Sequence, residues 1–210
     1  MTSAARIPPS RAGRLRLRRS LAVALRGADV LEQKLRILRM RHQLLLEAER
    51  ACADRWHEQV KVAEAWLLSG LLLGGEQALA AAVAGVGTAE IALDEATTMG
   101  VRYPSEALCV IPDRAPTSAA PRNTALVHAE AAYREAVRAA AEYAAARAAA
   151  RIVGTELLRV RQRVRALRRH SIPRLEQALA RIDLALEQGE HEDAVRRRWA
   201  ARRVGERGTL

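Results

Sequence analysis

Apolar residues recur along both ends of the chain in alternating steps of four and three. Toward the N-terminus the series runs Leu17, Leu21, Ala24, Ala28, Leu31, Leu35, Leu38, His42, Leu45, Glu49, Cys52, Trp56, Gln59, Ala63, Trp66. Twelve of these fifteen are apolar. A heptad pattern kept up for so many turns predicts a long helix packed against a partner helix. A second series runs Ala132, Ala136, Ala139, Tyr143, Ala146, Ala150, Val153, Leu157, Val160, Val164, Leu167. It continues through Ser171, Leu175, Leu179, Ile182 and Leu186, with successive steps of four around Pro173. Such a stutter locally unwinds a supercoil. Pro173 also removes one helical hydrogen bond, which predicts a bend or a loosened turn there.

Pro8 and Pro9 followed by Ser10 form a helix-start signal. Between the two series the pattern changes. Gly70, Gly74, Gly75, Gly85, Gly87 and Gly100, with Pro104, Pro112, Pro116 and Pro121, interrupt long helices. A short helix fits residues 77–83. The alternation at 90–93 and 107–111 is compatible with a short β-ribbon, and residues 112–124 read as an exposed loop. The expected fold is all-α. The N- and C-terminal segments form a long antiparallel two-helix coiled coil around a small irregular middle region. The expected divisions are a tail at 1–10, a coiled-coil helix at 11–68, a middle region at 69–125, a second coiled-coil helix at 126–204 and a tail at 205–210.

Composition fits slender helices. The chain has 210 residues, no Phe, three Trp and three Tyr, and abundant Ala, the best helix former and a poor core filler. Charge is uneven. Residues 1–50 carry 12 basic and 4 acidic side chains, residues 51–146 carry 7 and 12, and residues 147–210 carry 16 and 8. An antiparallel hairpin brings the two basic ends together. Lys34 and Lys61 are the only lysines; the rest is Arg, always charged and able to pair bidentately with carboxylates or phosphates. Cys52 and Cys109 do not form a disulfide framework and fit a reduced, cytosolic setting. Arginines from Arg11 to Arg19 leave no signal-peptide apolar run. The stretch 65–89 is apolar apart from Ser69, Glu76, Gln77 and Thr88. Glu76 near its centre costs about 2.5–3.5 kcal/mol on insertion scales, which argues against a spanning helix.

Nothing in the sequence points to catalysis. Gly74-Gly75-Glu76 lacks the Gly-Lys-Ser/Thr of a phosphate loop. The histidines 42, 57, 128, 170 and 191 show no metal-ligand spacing among themselves or with the cysteines. His42 reads as a tolerated polar residue in the seam. Glu187, Glu190, Glu192 and Asp193 beside Arg196–Arg198 read as intrahelical ion pairs. No catalytic, cofactor or metal site is expected. Arg159, Arg161, Arg163, Arg165, Arg168 and Arg169 could lie along phosphates, but no stacking aromatic is near.

Several islands resemble the D subunit of V/A-type rotary ATPases, in the family's order. They are Pro9-Ser10-Arg11; Leu21-x-x-Ala24-x-Arg26-Gly27-x-x-x-Leu31-x-x-Lys34-x-x-x-Leu38; and Met99-Gly100-Val101-x-x-Pro104. Toward the C-terminus stand Glu156-Leu157, Arg161-x-Arg163-Val164-x-Ala166-Leu167 and Ile172-Pro173-Arg174-Leu175-Glu176. The family-like motif positions are Pro9, Arg11, Gly27, Lys34, Arg163, Ala166, Ile172 and Pro173. Arg165 and Arg168 stand where the family usually has Asn and Glu, and Gly189 interrupts its usual Glu/Arg-rich segment. The resemblance implies a central-stalk rotor protein without a catalytic site, turning inside a ring of A and B subunits. It also implies an F subunit on the stalk, a membrane rotor at its base, and a place on the cytoplasmic face of the membrane. The alternative reading from residues alone is a free-standing basic coiled coil that binds nucleic acid or acts as a scaffold.

Overall fold

The computed structural model describes residues 10–84, 86–114 and 123–207. The order of elements is α1 (Arg11–Val83), β1 (Glu90–Thr98), β2 (Val101–Val110), α2 (Thr124–Ala166), a π turn (Leu167–Ser171) and α3 (Ile172–Arg207). Long N- and C-terminal helices pack together, and a two-stranded antiparallel sheet lies between them in sequence. The chain divides into two compact units, Met1–Gln33 with Val160–Leu210, and Lys34–Arg159.

Both long helices begin on a polar cap. The Ser10 hydroxyl accepts from the Gly13 amide at 3.1 Å. The Asn123 side-chain oxygen accepts from the Ala125 amide at 2.9 Å, while its amide group donates to the Gly70 carbonyl at 3.1 Å. Asn123 therefore caps α2 and ties its start to α1. Gly70 is needed there because a Cβ would run into the Leu126 side chain.

In the first unit α1 runs antiparallel to the C-terminal segment. Arg11 pairs with Glu190, Arg14 with Asp183, and Asp29 with Arg168. Leu17 and Ala28 of α1 are buried together with Val160, Ile172 and Ile182. The seam passes through Ile172, 6% exposed, whereas the half-buried Ser171 is the position expected from the steps of four. From Leu167 to Ile172 is a step of five, taken up by the π turn, in which the Ile172 amide donates to the Leu167 carbonyl. The disturbance read from the steps of four and Pro173 thus takes the form of one surplus residue in a wide turn just ahead of the proline.

In the second unit α1 is antiparallel to α2. Lys34 pairs with Glu156 at 3.4 Å and Arg55 with Glu142 at 2.8 Å, and Trp56 stacks on Tyr143 with ring centroids 5.4 Å apart. The seam is alanine-rich: Ala136, Ala139, Ala149 and Ala150 are buried with Leu35, Leu38, Leu45 and Val153. His42 is half-buried against Gly154, where a Cβ would stand 2.8 Å from its Nε2. The small residue opposite is what makes room for an imidazole in the seam. Trp66, read as a seam position, is 41% exposed and lies against His128 instead.

α1 continues past residue 68 to Val83, broken at Gly75, whose backbone (φ 65, ψ −175) is non-helical. The residues after Gly75 are the short helix expected at 77–83. By length and composition α1 holds one window apolar enough to cross a membrane, only 6% of it buried. The β-ribbon is longer than its sequence signal. Met99 (φ 51) and Gly100 (φ 79) form its turn, both in the left-handed region that a tight two-residue hairpin demands. Pro104 sits at a register shift next to Asp94/Glu95, where a strand tolerates a residue without an amide donor.

Candidate functional site

Two surfaces carry the chemistry of this chain, one in each unit. The first is cationic. Residues 1–33 and 160–210 together hold 20 basic and 9 acidic side chains, while residues 34–159 hold 15 of each. The whole formal charge of +11 therefore belongs to the first unit. No acidic residue precedes Asp29, and none occurs between Glu156 and Glu176.

Four of the carboxylates, Asp29, Glu32, Asp183 and Glu190, are taken up across the helix pair, while Glu192 and Asp193 pair with Arg196 on their own helix. Arg14 Nε lies 2.6 Å from Asp183, and Arg11 lies 3.1 Å from Glu190. Arg168 reaches Asp29 at 2.7 Å and Glu32 at 2.9 Å. Its guanidinium is held above its ordinary value, first by the hydrogen bond to Glu32, with both carboxylate charges adding. Arg16, Arg18, Arg19 and Arg26 on α1, and Arg161, Arg163, Arg165, Arg169 and Arg174 opposite, are exposed and make no ion pair among the described residues. They leave guanidinium groups free to meet carboxylates or phosphates of another molecule.

The second surface combines the hairpin with the ends of α1 and α2. Tyr103, 2% exposed, fixes the hairpin to α1: its hydroxyl accepts from Arg41 Nε at 2.8 Å and lies 2.9 Å from the Thr98 hydroxyl. The Arg41 guanidinium also lies 5.5 Å from the Tyr103 ring centroid. Ala48 and Cys52 of α1, Ala107 of β2 and Ala145 of α2 line one shallow depression, so the ribbon lies along both helices.

Arg114, in the loop after β2, ties the far end together. It donates to the carbonyls of Ala82 at 2.7 Å and Ala84 at 3.1 Å, and to Glu130 at 2.6 Å. α1 has no basic residue in its last turn, so this loop arginine supplies the cation that complements the helix end. Arg134 also donates to Glu130. Burial pushes the Glu130 carboxyl up, but hydrogen bonds and charge from Arg114 and Arg134 outweigh it and hold it below the usual carboxylate range. Beside this cluster opens an apolar cavity of about 420 Å³, lined among others by Leu67, Leu79, Val83, Ile111, Leu126 and Val137. Leu68, Leu72 and Leu73 of α1 are exposed.

Leu17, Leu35, Leu38, Leu45, Val153, Val160 and Ile182 are buried; Leu21, Leu31, Trp56, Leu157, Val164, Leu167, Leu175 and Leu179 are half-buried. Of the motif positions, Ile172 is buried, and Gly27, Lys34 and Pro173 are half-buried. Arg11, Arg163 and Ala166 are exposed, and Pro9 lies outside the described residues. Tyr103, Arg41, Arg114 and Glu130 were missed in the sequence.

An arginine-rich helix pair in one unit and a helix pair carrying a β-ribbon in the other, with no cluster of three metal-ligating side chains among the described residues, offer binding surfaces. A model of the ATP synthase D-subunit family matches residues 14–202. The chain belongs to that family. No curated protein matches it. As a V/A-type D subunit it is a stalk component of a rotary ATPase, a class generally without catalytic sites of its own.

Proposed function

We propose that this chain is the central rotor of a V/A-type proton-translocating ATPase or ATP synthase, passing torque between the catalytic ring and the membrane rotor. The observation that carries the reading is the family match over nearly the whole chain. Its partners are then the A and B subunits of the ring, the F subunit on the stalk and the membrane rotor at its base, on the cytoplasmic face of the membrane. The helix pair suits the task, since a rotor needs lateral stiffness along its length and no reacting group. The unpaired arginines of the first unit suit it too, because a cationic surface turning past ring carboxylates makes contacts that change with angle. Long-range attraction of this kind also speeds assembly.

The test is co-expression with the A, B and F subunits, followed by purification through a tag on this chain. All three should co-purify, and ATP turnover of the assembled ring should depend on this chain. A tagged chain that leaves A, B and F behind, under conditions where they assemble with the D subunit of another rotary ATPase, would overturn the proposal.

A further inference from the structure

The π turn has an arithmetic that no other part of the helix pair shares. Before it, the seam runs Leu157, Val160, Val164, Leu167; after it, Ile172, Leu175, Leu179, Ile182, Leu186. Each run keeps steps of three and four, and a step of five separates them. Removing one residue from 168–170 would join the runs into one unbroken heptad series. The π turn therefore stores a single surplus residue between two segments that are each in phase with α1.

That residue is confined on both sides. Downstream, Pro173 has no amide to offer the Arg169 carbonyl, so an ordinary helical turn cannot close through it. Upstream, Arg168 sits inside the turn and is held by Asp29 and Glu32 at 2.7 and 2.9 Å. No proline occurs in α2. Gly27 lies two residues before Asp29 on α1, and nothing stands within 4 Å of where its Cβ would be. The surface of α1 beside the turn is therefore open at Gly27, although its neighbour Ala28 is fully buried in the seam.

We propose that the π turn is a movable joint, latched by Arg168, in which the surplus residue can travel toward residue 160 and let that part of α2 turn about its own axis. Each residue of travel exchanges one wide-turn hydrogen bond for one ordinary one, so the backbone loses little. The side chains it passes turn by about 100°. The seams on either side stay in register. Twist applied to the helix pair is then absorbed between residues 160 and 171 rather than spread along the rest of the seam. Its use in torque transmission rests on the rotor reading; the joint itself does not.

Hydrogen–deuterium exchange on the isolated full-length chain tests the joint without any partner. Amides at 167–172 should exchange faster than those at 157–164 and 175–182. Arg168→Gln, an exposed change that leaves the seam untouched, should speed the turn by about two- to fivefold, as expected for an exposed ion pair. Deletion of His170 should slow it to the rate of its flanks. A turn already as slow as its flanks in the unaltered chain would overturn the joint. So would an Arg168→Gln chain with unchanged exchange at 167–172, and this outcome remains decisive if the deletion fails to fold. In the assembled ATPase, the deletion should change the ratio of ion transport to ATP turnover. A chain that never joins the ring contradicts the rotor reading alone, and the exchange result stands.

Discussion

Arg41 on α1 donates from Nε to the hydroxyl of Tyr103 on β2 at 2.8 Å, and that contact holds the ribbon against the helices. The ring is buried while its hydroxyl meets both Arg41 and Thr98. Tyr103→Phe keeps the packing and removes the shared hydroxyl, at a cost of about 1 kcal/mol in thermal or urea unfolding. Tyr103→Ala should release the ribbon. Limited proteolysis should then cut within 90–110 while the helical circular dichroism signal persists. A ribbon as resistant as the original would show that other contacts hold it.

Glu130 gives the chain a pH-dependent element with a definite sign. Its folded carboxyl titrates lower than in the unfolded chain, so its contribution is complete above the unfolded value of about 4.3. The contribution is lost as the pH falls through the lower folded value. Glu130→Gln should cost about 1–2 kcal/mol at neutral pH and flatten this part of the acid limb of stability against pH. Denaturant titrations at a series of pH values check both; parallel curves would remove Glu130 from the account.

The turn residue Met99 holds a left-handed conformation that a side chain with a Cβ adopts at a cost of about 1–2 kcal/mol. Met99→Asn supplies the residue such a turn favours and should raise the melting temperature slightly. A lower melting temperature would show that the Met99 side chain, 42% exposed, makes a contact worth more than the strain.

Leu38 and Val160 are among the largest fully buried side chains. Leu38→Ala should destabilise by about 2–4 kcal/mol through lost contact and residual cavity. Val160→Asp places an unpaired charge in the seam and should abolish cooperative unfolding. A Val160→Asp chain that still melts cooperatively would mean the seam opens there at little cost.

The free arginines predict weak, sequence-indifferent binding to DNA that falls steeply between low and physiological salt, as counterion release requires. Fluorescence anisotropy with two unrelated duplexes measures it. Tight binding to one duplex at physiological salt would favour the nucleic-acid reading over the rotor.

The pairing of the helices was legible because Leu, Val and Ile recur at heptad spacing, and an apolar residue at such a position has few alternatives to burial. Alanine was less informative. Ala141 and Ala145 are buried outside the heptad positions of α2, Ala145 beside the ribbon, yet an alanine in a helix is equally at home in solvent. The π turn was half legible: Pro173 and the broken spacing located it, but Ser171 and Ile172 are adjacent, and only the packing decides which enters the seam. The Arg41–Tyr103 and Arg114–Glu130 contacts join residues distant in sequence. Neither member of either pair has a distinctive neighbourhood, so nothing in the order of residues foretold them.

Among the described residues, 11 of the 21 buried apolar residues are alanine. Alanine gives up no rotamers when it is enclosed, and it hides little surface from water. The heat-capacity change on unfolding follows the apolar surface newly wetted, so it should fall below the usual value of about 12–15 cal/mol/K per residue. The stability curve is then shallow, with cold weakening the fold less than it weakens a protein built around leucine and phenylalanine. For a helix pair that depends on one register, constancy across temperature is the thermodynamic gain from so lean an interior.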